Sequence, residues 1–200
     1  MLTKEKAIIL SKTKYGEADL ILKILTVDGA VFSVLARSAL KSKKRFGGGV
    51  LEPSHYIECS LSRRPDGIND SNSERMAILD DAHLIDEFKN LKTDYDRITL
   101  AMHFLKTIST VLREGDDHIE MFNLLGHSLK KAETTSNLHI LKLQFHLKIL
   151  HLQGVLPPQD HFAPLLRASI REGDKIEIES HSLSRINAEV AHLFNSYVGI

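Results

Sequence analysis

The chain is 200 residues long, 42% apolar and 26% charged, with 26 Lys or Arg balanced by 26 Asp or Glu. This is the composition of an ordinary soluble globular protein with one large or two small cores. No apolar run approaches the length of a membrane span, the N-terminal MLTKEKAIIL lacks a signal-peptide core, and the single cysteine, Cys59, excludes an internal disulfide or a cysteine zinc site. A reducing cytoplasm is the expected location. The neutral total conceals a split: residues 1–64 carry twelve Lys or Arg against six Asp or Glu, and residues 65–200 carry fourteen against twenty. Such asymmetry points to two modules, the basic one suited to a polyanion.

The first half reads as strands. Lys6–Thr13 and Leu20–Thr26 are short runs rich in Ile and Leu. The second reaches Val31–Ala36 through Asp28-Gly29, a pair suited to a type I′ turn. Ile57, Cys59 and Leu61 alternate with Glu58 and Ser60, the period of a half-buried strand. A loop-forming stretch, SRRPDGINDSNSE, then precedes a fifth strand at RMAIL. Five short strands with closely spaced turns suit a small closed barrel such as an OB-fold, with an SH3-like barrel as the alternative.

Beyond residue 80 the period changes. Leu91, Tyr95, Ile98, Met102, Leu105, Ile108 and Leu112 step by three and four, which predicts one helical face ending at Gly115. Asp117 with Glu120 resembles a capping box, and Ile119, Phe122, Leu125 and Leu129 stripe the helix that follows. A third helix is predicted from Ser136 to Gln153, stopped by Gly154 and Pro157-Pro158. It is apolar on two sides, as expected of a central helix in a bundle. A short hairpin around Gly173-Asp174 and a last helix striped by Ile186, Val190, Leu193 and Tyr197 complete the chain. The predicted class is α+β: a nucleic-acid-binding OB-fold barrel over residues 1–80, then an α-helical domain over 81–200.

Catalytic chemistry finds little support. His139 and His146 are seven apart with His151 beyond, but there is no HExxH, no partner cysteine and no carboxylate at ligand spacing. Asp80-Asp81 and Asp116-Asp117 fall where loops or helix starts are expected, which suits capping. Gly47-Gly48-Gly49 is not followed by Gly-Lys-Ser/Thr, so it is not a P-loop, and no nucleophile elbow supports a Ser/His/Asp order. Cys59, on the apolar side of an alternating strand, reads as a packing residue. A non-enzymatic binding protein is the expectation, with no cofactor.

Binding has a clear candidate in ARSALKSKKRFGGGVLEP, residues 36–53. Arg37, Lys41, Lys43, Lys44 and Arg45 place five cations within nine residues, followed by Phe46 and three glycines. Cations on a barrel loop neutralise phosphates and release counterions, which gives affinity without sequence choice. Phe46 offers a flat face for stacking a base, and the glycines let the loop mould to a backbone. A solvated charged hairpin tip is the competing interpretation; the basic balance of the whole first half favours nucleic acid.

The same stretch carries a family resemblance. Tyr15-Gly16-Glu17, Asp19, Ile21-Leu22, Leu25-Thr26 and Gly29, followed by Ala36-Arg37 through Pro53, closely resemble the N-terminal domain of the RecO family of bacterial DNA repair proteins. Ser38 stands where that family usually has glycine. The resemblance implies an OB-fold followed by a helical domain. It implies binding of single- and double-stranded DNA, strand annealing, and work with RecR, often also RecF, to help RecA replace single-strand-binding protein. Many members carry a cysteine zinc module near the position of GVLPPQDHFAPLL; no cysteine stands there, so no zinc is implied. In some members the helical domain takes the acidic, phenylalanine-ended tail of single-strand-binding protein. The matching region here is LKLQFHLKILHLQG, where Lys142 and Lys148 are the implied partner-binding residues. Leu143 and Gln144 replace the usual basic residues, and packing is the expected role of Phe145. Two rival classes stay open, an OB-fold RNA-binding accessory protein and a helical adaptor whose basic loop meets an acidic protein surface.

Overall fold

A computed structural model describes residues 2–62, 76–114, 118–176 and 178–199. Five strands, β1 (Leu2–Tyr15), β2 (Asp19–Thr26), β3 (Val31–Ala36), β4 (Tyr56–Ser62) and β5 (Ala77–Asp86), form a closed barrel in the order β1-β2-β3-β5-β4. All pairings are antiparallel except β3 with β5, and β1 pairs with β4 to close the ring. That is the OB-fold connectivity, and it decides against the SH3-like alternative. Strand alternation puts Ala7, Ile9, Leu20, Leu22, Ile24, Val34, Ile57, Cys59, Leu61 and Leu79 inside the barrel. Burial, with the negative charge of Glu5, Asp81 and Glu58 nearby, pushes the Cys59 thiol up to about 12, so it packs as a neutral group.

A bulge in β1 between Ile9 and Ser11 changes which side chains face inward. Before it Ala7 and Ile9 line the core; after it Lys12 lies opposite Leu22 and Lys14 opposite Leu20, on the barrel's inner side. Thr13 and Tyr15, opposite Ile21 and Asp19, take the outer side.

The turn between β2 and β3 departs from expectation. Gly29 alone has positive φ, at 94°, so Asp28-Gly29 is not a type I′ pair. The loop spans four residues because Asp28 Oδ1 accepts from Thr26 Oγ1, while the Thr26 amide donates to Ala30 O at 2.9 Å. Asp80 and Asp81 lie within β5 and are strand residues, not caps. β5 runs on to Asp86 because its antiparallel pairing with β4 extends that far. Of the loop expected from Ser62 to Glu74, Ser62 ends β4 and the rest lies outside the described residues, as do the stop at Gly115, the Asp116-Asp117 pair and the Asp117 cap.

The chain divides into two compact units, Met1–Lys89 with Leu105–Phe122 and Asn90–Phe104 with Asn123–Ile200. Helix α2 (Tyr95–Val111) contributes residues to both, as does α3 (Ile119–Ala132). The predicted single stripe over 91–112 is broken. Leu91 sits in a separate 3-10 turn, Lys89–Thr93, and Tyr95 and Met102 are 82% and 44% exposed. The buried face of α2 is instead Leu100, Ala101, Phe104, Leu105, Ile108 and Val111. On α3, Ile119 is likewise exposed, and Met121, Leu124, Leu125 and Leu129 are buried.

In the second unit, α4 (Leu138–Leu152) buries Ile140, Leu141, Leu143, Gln144, Phe145, Leu147, Ile149 and Leu150, most of its circumference, as expected of a central helix, and leaves His139 and Lys142 exposed. Asn137 caps it by accepting from the Ile140 amide at 3.1 Å. Buried Gln144 donates from Nε2 to Leu165 O at 3.2 Å, and the Phe145 ring lies 4.1 Å from that of Phe104. After α5 (Ala163–Arg167), the expected hairpin is a 3-10 segment, Ile170–Lys175. The Asp174 carboxylate accepts from Lys131 Nζ at 2.5 Å and from Thr135 Oγ1, so it anchors a turn rather than the tip of a hairpin. The last helix, α6 (Ser180–Val198), buries Ile186, Val190 and Phe194. No helix among the described residues is long and apolar enough to cross a membrane.

Candidate nucleic-acid interface

The basic stretch is a braced structure rather than an open loop. Past β3 the backbone turns at Ser38, whose φ of 52° lies in the left-handed region. That explains the family's glycine at this position. The Ser38 amide donates to Asp19 Oδ1 at 2.7 Å, and the Leu40 amide donates to Ala18 O at 2.9 Å. Both bonds tie the segment to the tip of the β1–β2 hairpin. The Lys41 and Ser42 amides then return to Ser38 O at 3.1 and 3.0 Å. Ser42 caps a one-turn helix, α1 (Lys43–Phe46), by accepting from the Arg45 amide at 3.4 Å.

Two predicted site residues serve the protein itself. Phe46 is only 7% exposed and belongs to the barrel core with Ala39 and Leu51, so its ring cannot stack on a base. The Arg45 guanidinium lies 5.1 Å from the Phe46 ring centroid and donates through Nη2 to Arg37 O at 2.8 Å. Arg45 is a half-buried brace. Arg37, Lys41, Lys43 and Lys44 are exposed. Gly48 and Gly49 adopt φ of 70° and 72°, so these glycines supply left-handed turn geometry, not a run that moulds itself to a ligand.

Three neighbours escaped the sequence reading. Lys12, brought inward by the β1 bulge, pairs with Glu52 at 2.6 Å. Together with Leu20, Leu40 and Phe46 they line a groove of about 190 Å³. Asp19 anchors Ser38. Its place in the Tyr15-Gly16-Glu17-x-Asp19 motif was the available signal, but only the fold shows what it holds.

OB-folds commonly take oligonucleotides on the outer face of strands 2 and 3 and on neighbouring loops. Here that face is occupied within the first unit. Lys23 Nζ donates to Ser109 O at 2.9 Å, and Ser33 Oγ donates to Glu114 Oε1 at 2.8 Å. A Cβ on Gly29 would stand 2.2 Å from the His118 carbonyl carbon. The exposed cations Arg37, Lys41, Lys43 and Lys44 stand instead at the end of the barrel, on the braced loop tied to the hairpin tip.

The other implied site is less available. Lys142 is exposed on α4, but Lys148 Nζ donates to Leu166 O at 2.7 Å, and burial holds its pKa below the usual lysine value. Phe145 is fully buried. Of the histidines, His146 meets His103, with Nε2 atoms 2.7 Å apart, and stacks on Phe194. His103 is 43 residues away in sequence, beyond any spacing rule. Burial above all, then His103 and Lys142, push the His146 pKa down to about 3. Among the described residues no group of three or more His, Cys, Asp or Glu is arranged to hold a metal ion.

Residues 1–76 match the family model described as Recombination protein O N terminal, and residues 92–164 match Recombination protein O C terminal. The DNA repair protein RecO of Desulfosudis oleivorans is 30% identical over 152 residues, covering 76% of this chain and 56% of the relative. That of Christiangramia forsetii is 27% identical over 158 residues, covering 78% and 63%. That of Alkaliphilus metalliredigens is 29% identical over 160 residues, covering 78% and 60%. The chain thus spans 56% to 63% of the length of these curated relatives.

Proposed function

Because the chain belongs to the recombination protein O family, we propose that it is a non-enzymatic DNA-binding protein acting in recombinational repair. Arg37, Lys41, Lys43 and Lys44 contact the phosphates of single- and double-stranded DNA. One observation carries this assignment: four exposed cations stand on a segment whose backbone is tied at Asp19 and Ala18 and plugged by Phe46. A segment already ordered loses little entropy on binding, so its charge is spent on phosphate contacts.

On this reading the protein is a recombination mediator. It anneals complementary strands and, with RecR and RecF, helps RecA replace single-strand-binding protein on gapped DNA. Its place is the cytoplasm, at the nucleoid. Contact with the acidic tail of single-strand-binding protein falls to Lys142, because the Lys148 ammonium is already bonded to Leu166 O. The test is annealing of complementary oligonucleotides coated with single-strand-binding protein, with and without this chain. Faster annealing, lost when Lys41, Lys43 and Lys44 are changed to Ala, is the expected result. No acceleration, or stronger binding to RNA than to DNA of the same sequence, would overturn the proposal.

A further inference from the structure

With Phe46 withdrawn into the core, the basic end of the barrel needs another flat face if bases are to be held there, and the hairpin tip has one. Tyr15 closes β1 on its outer side and is 45% exposed. It lies directly opposite Asp19, whose carboxylate holds the Ser38 amide. Leu20 lies opposite Ala36, which brings Arg37 to the level of Asp19 on the neighbouring strand. Tyr15 and Arg37 therefore flank Asp19, one on each side, at the mouth of the braced loop that carries Lys41, Lys43 and Lys44.

We infer that Tyr15 is the base-stacking residue of this interface and that it selects single-stranded DNA. The role rests on the DNA-binding reading above. An aromatic face beside a row of cations is what an unpaired strand requires: phosphates follow the charges while a base, free of its own stack, lies on the ring. Duplex DNA keeps its bases stacked on one another and offers Tyr15 only backbone. Lys and Arg then supply affinity for either form, and the ring supplies preference.

The test uses the full chain with an oligo-dT strand, an abasic strand of equal length and a duplex. Tyr15→Ala should weaken oligo-dT binding by roughly tenfold, within the range seen for single base–aromatic contacts, with an unchanged salt slope. Tyr15→Phe, which keeps the ring, should bind as the unaltered chain does. The abasic strand and the duplex should be indifferent to both changes. Since the chain has no Trp, Tyr15→Trp supplies a lone indole whose emission should be quenched by oligo-dT and not by the abasic strand. Full oligo-dT affinity in Tyr15→Ala, an equal loss on the abasic strand, or an unquenched indole would overturn the stacking role alone. Failure of the unaltered chain to bind any strand would overturn the DNA-binding reading and the stacking role with it.

Discussion

Two segments of this chain look alike as strings: KSKKRF at 41–46 and LKLQFHLK at 141–148 each set lysines around a phenylalanine. In both, the phenylalanine is buried. The lysines fare differently. In the first, one turn of helix capped by Ser42 stands at the barrel's end, and Lys41, Lys43 and Lys44 project into solvent. In the second, α4 is buried over most of its circumference, and of its two lysines Lys142 reaches solvent while Lys148 is bonded to Leu166 O. A lysine beside an aromatic becomes a binding group only where its element leaves a face uncovered. Packing decides which one it is.

The largest expected effect bears on the shared feature. Phe145→Ala should cost about 3–5 kcal/mol in urea denaturation, the usual range for a fully buried ring. Phe46→Ala, at the barrel's end, should fall at the low end of that range. A Phe46→Ala variant of unchanged stability but weakened DNA binding would break the comparison by returning the ring to the ligand.

Next comes the difference between the lysines. Lys41, Lys43 and Lys44 changed together to Ala should lower single-strand affinity on the order of a hundredfold at 50 mM salt and flatten the salt slope by about 2. Arg45 is left in place because its bond to Arg37 O braces the loop. Lys142→Ala should leave both quantities unaltered; an equal loss there would put DNA on the helical unit too.

A third test is confined to α4. Folding keeps His146 neutral down to about pH 3, against 6.5 for an ordinary histidine. The unfolded chain therefore binds the extra proton first, and stability falls as pH drops below about 6.5. By pH 5 the loss should reach about 2 kcal/mol, absent in His146→Gln relative to its own neutral value. Denaturation midpoints at pH 7.5, 6 and 5 measure it, and parallel profiles for the two chains would refute it.

The smallest effect sharpens the account of the basic loop. Ser38 holds φ of 52°, a conformation that costs a non-glycine residue about 1–2 kcal/mol. Glycine removes that cost but raises the entropy of the unfolded chain by about 0.4–1 kcal/mol. Ser38→Gly should therefore stabilise by about 0.5 kcal/mol net, read as a small rise in the urea midpoint. A drop would mean that the serine hydroxyl contributes more than the backbone strain it brings.

Local pattern was enough for much of this fold. The β3 bounds, the alternation of β4 and the two-sided apolar helix α4 follow from side-chain periodicity, because a strand or helix buries what its period places on one face. The charge split and the run of cations were equally legible, since charge count needs no coordinates. What sequence could not supply was every feature set by a distant partner. Asp174 meets Lys131 and Thr135 and makes a 3-10 turn where Gly-Asp suggested a hairpin. The β1 bulge turns Lys12 inward. Ser109 and Glu114 occupy the outer face of β2 and β3, and His118 stands against the Gly29 turn between them. Phe46 belonged by local pattern to the charged loop, and the open end of the barrel, which needed an apolar plug, drew it into the core. Periodicity fixes which side chains share a face; only three-dimensional packing fixes what that face meets.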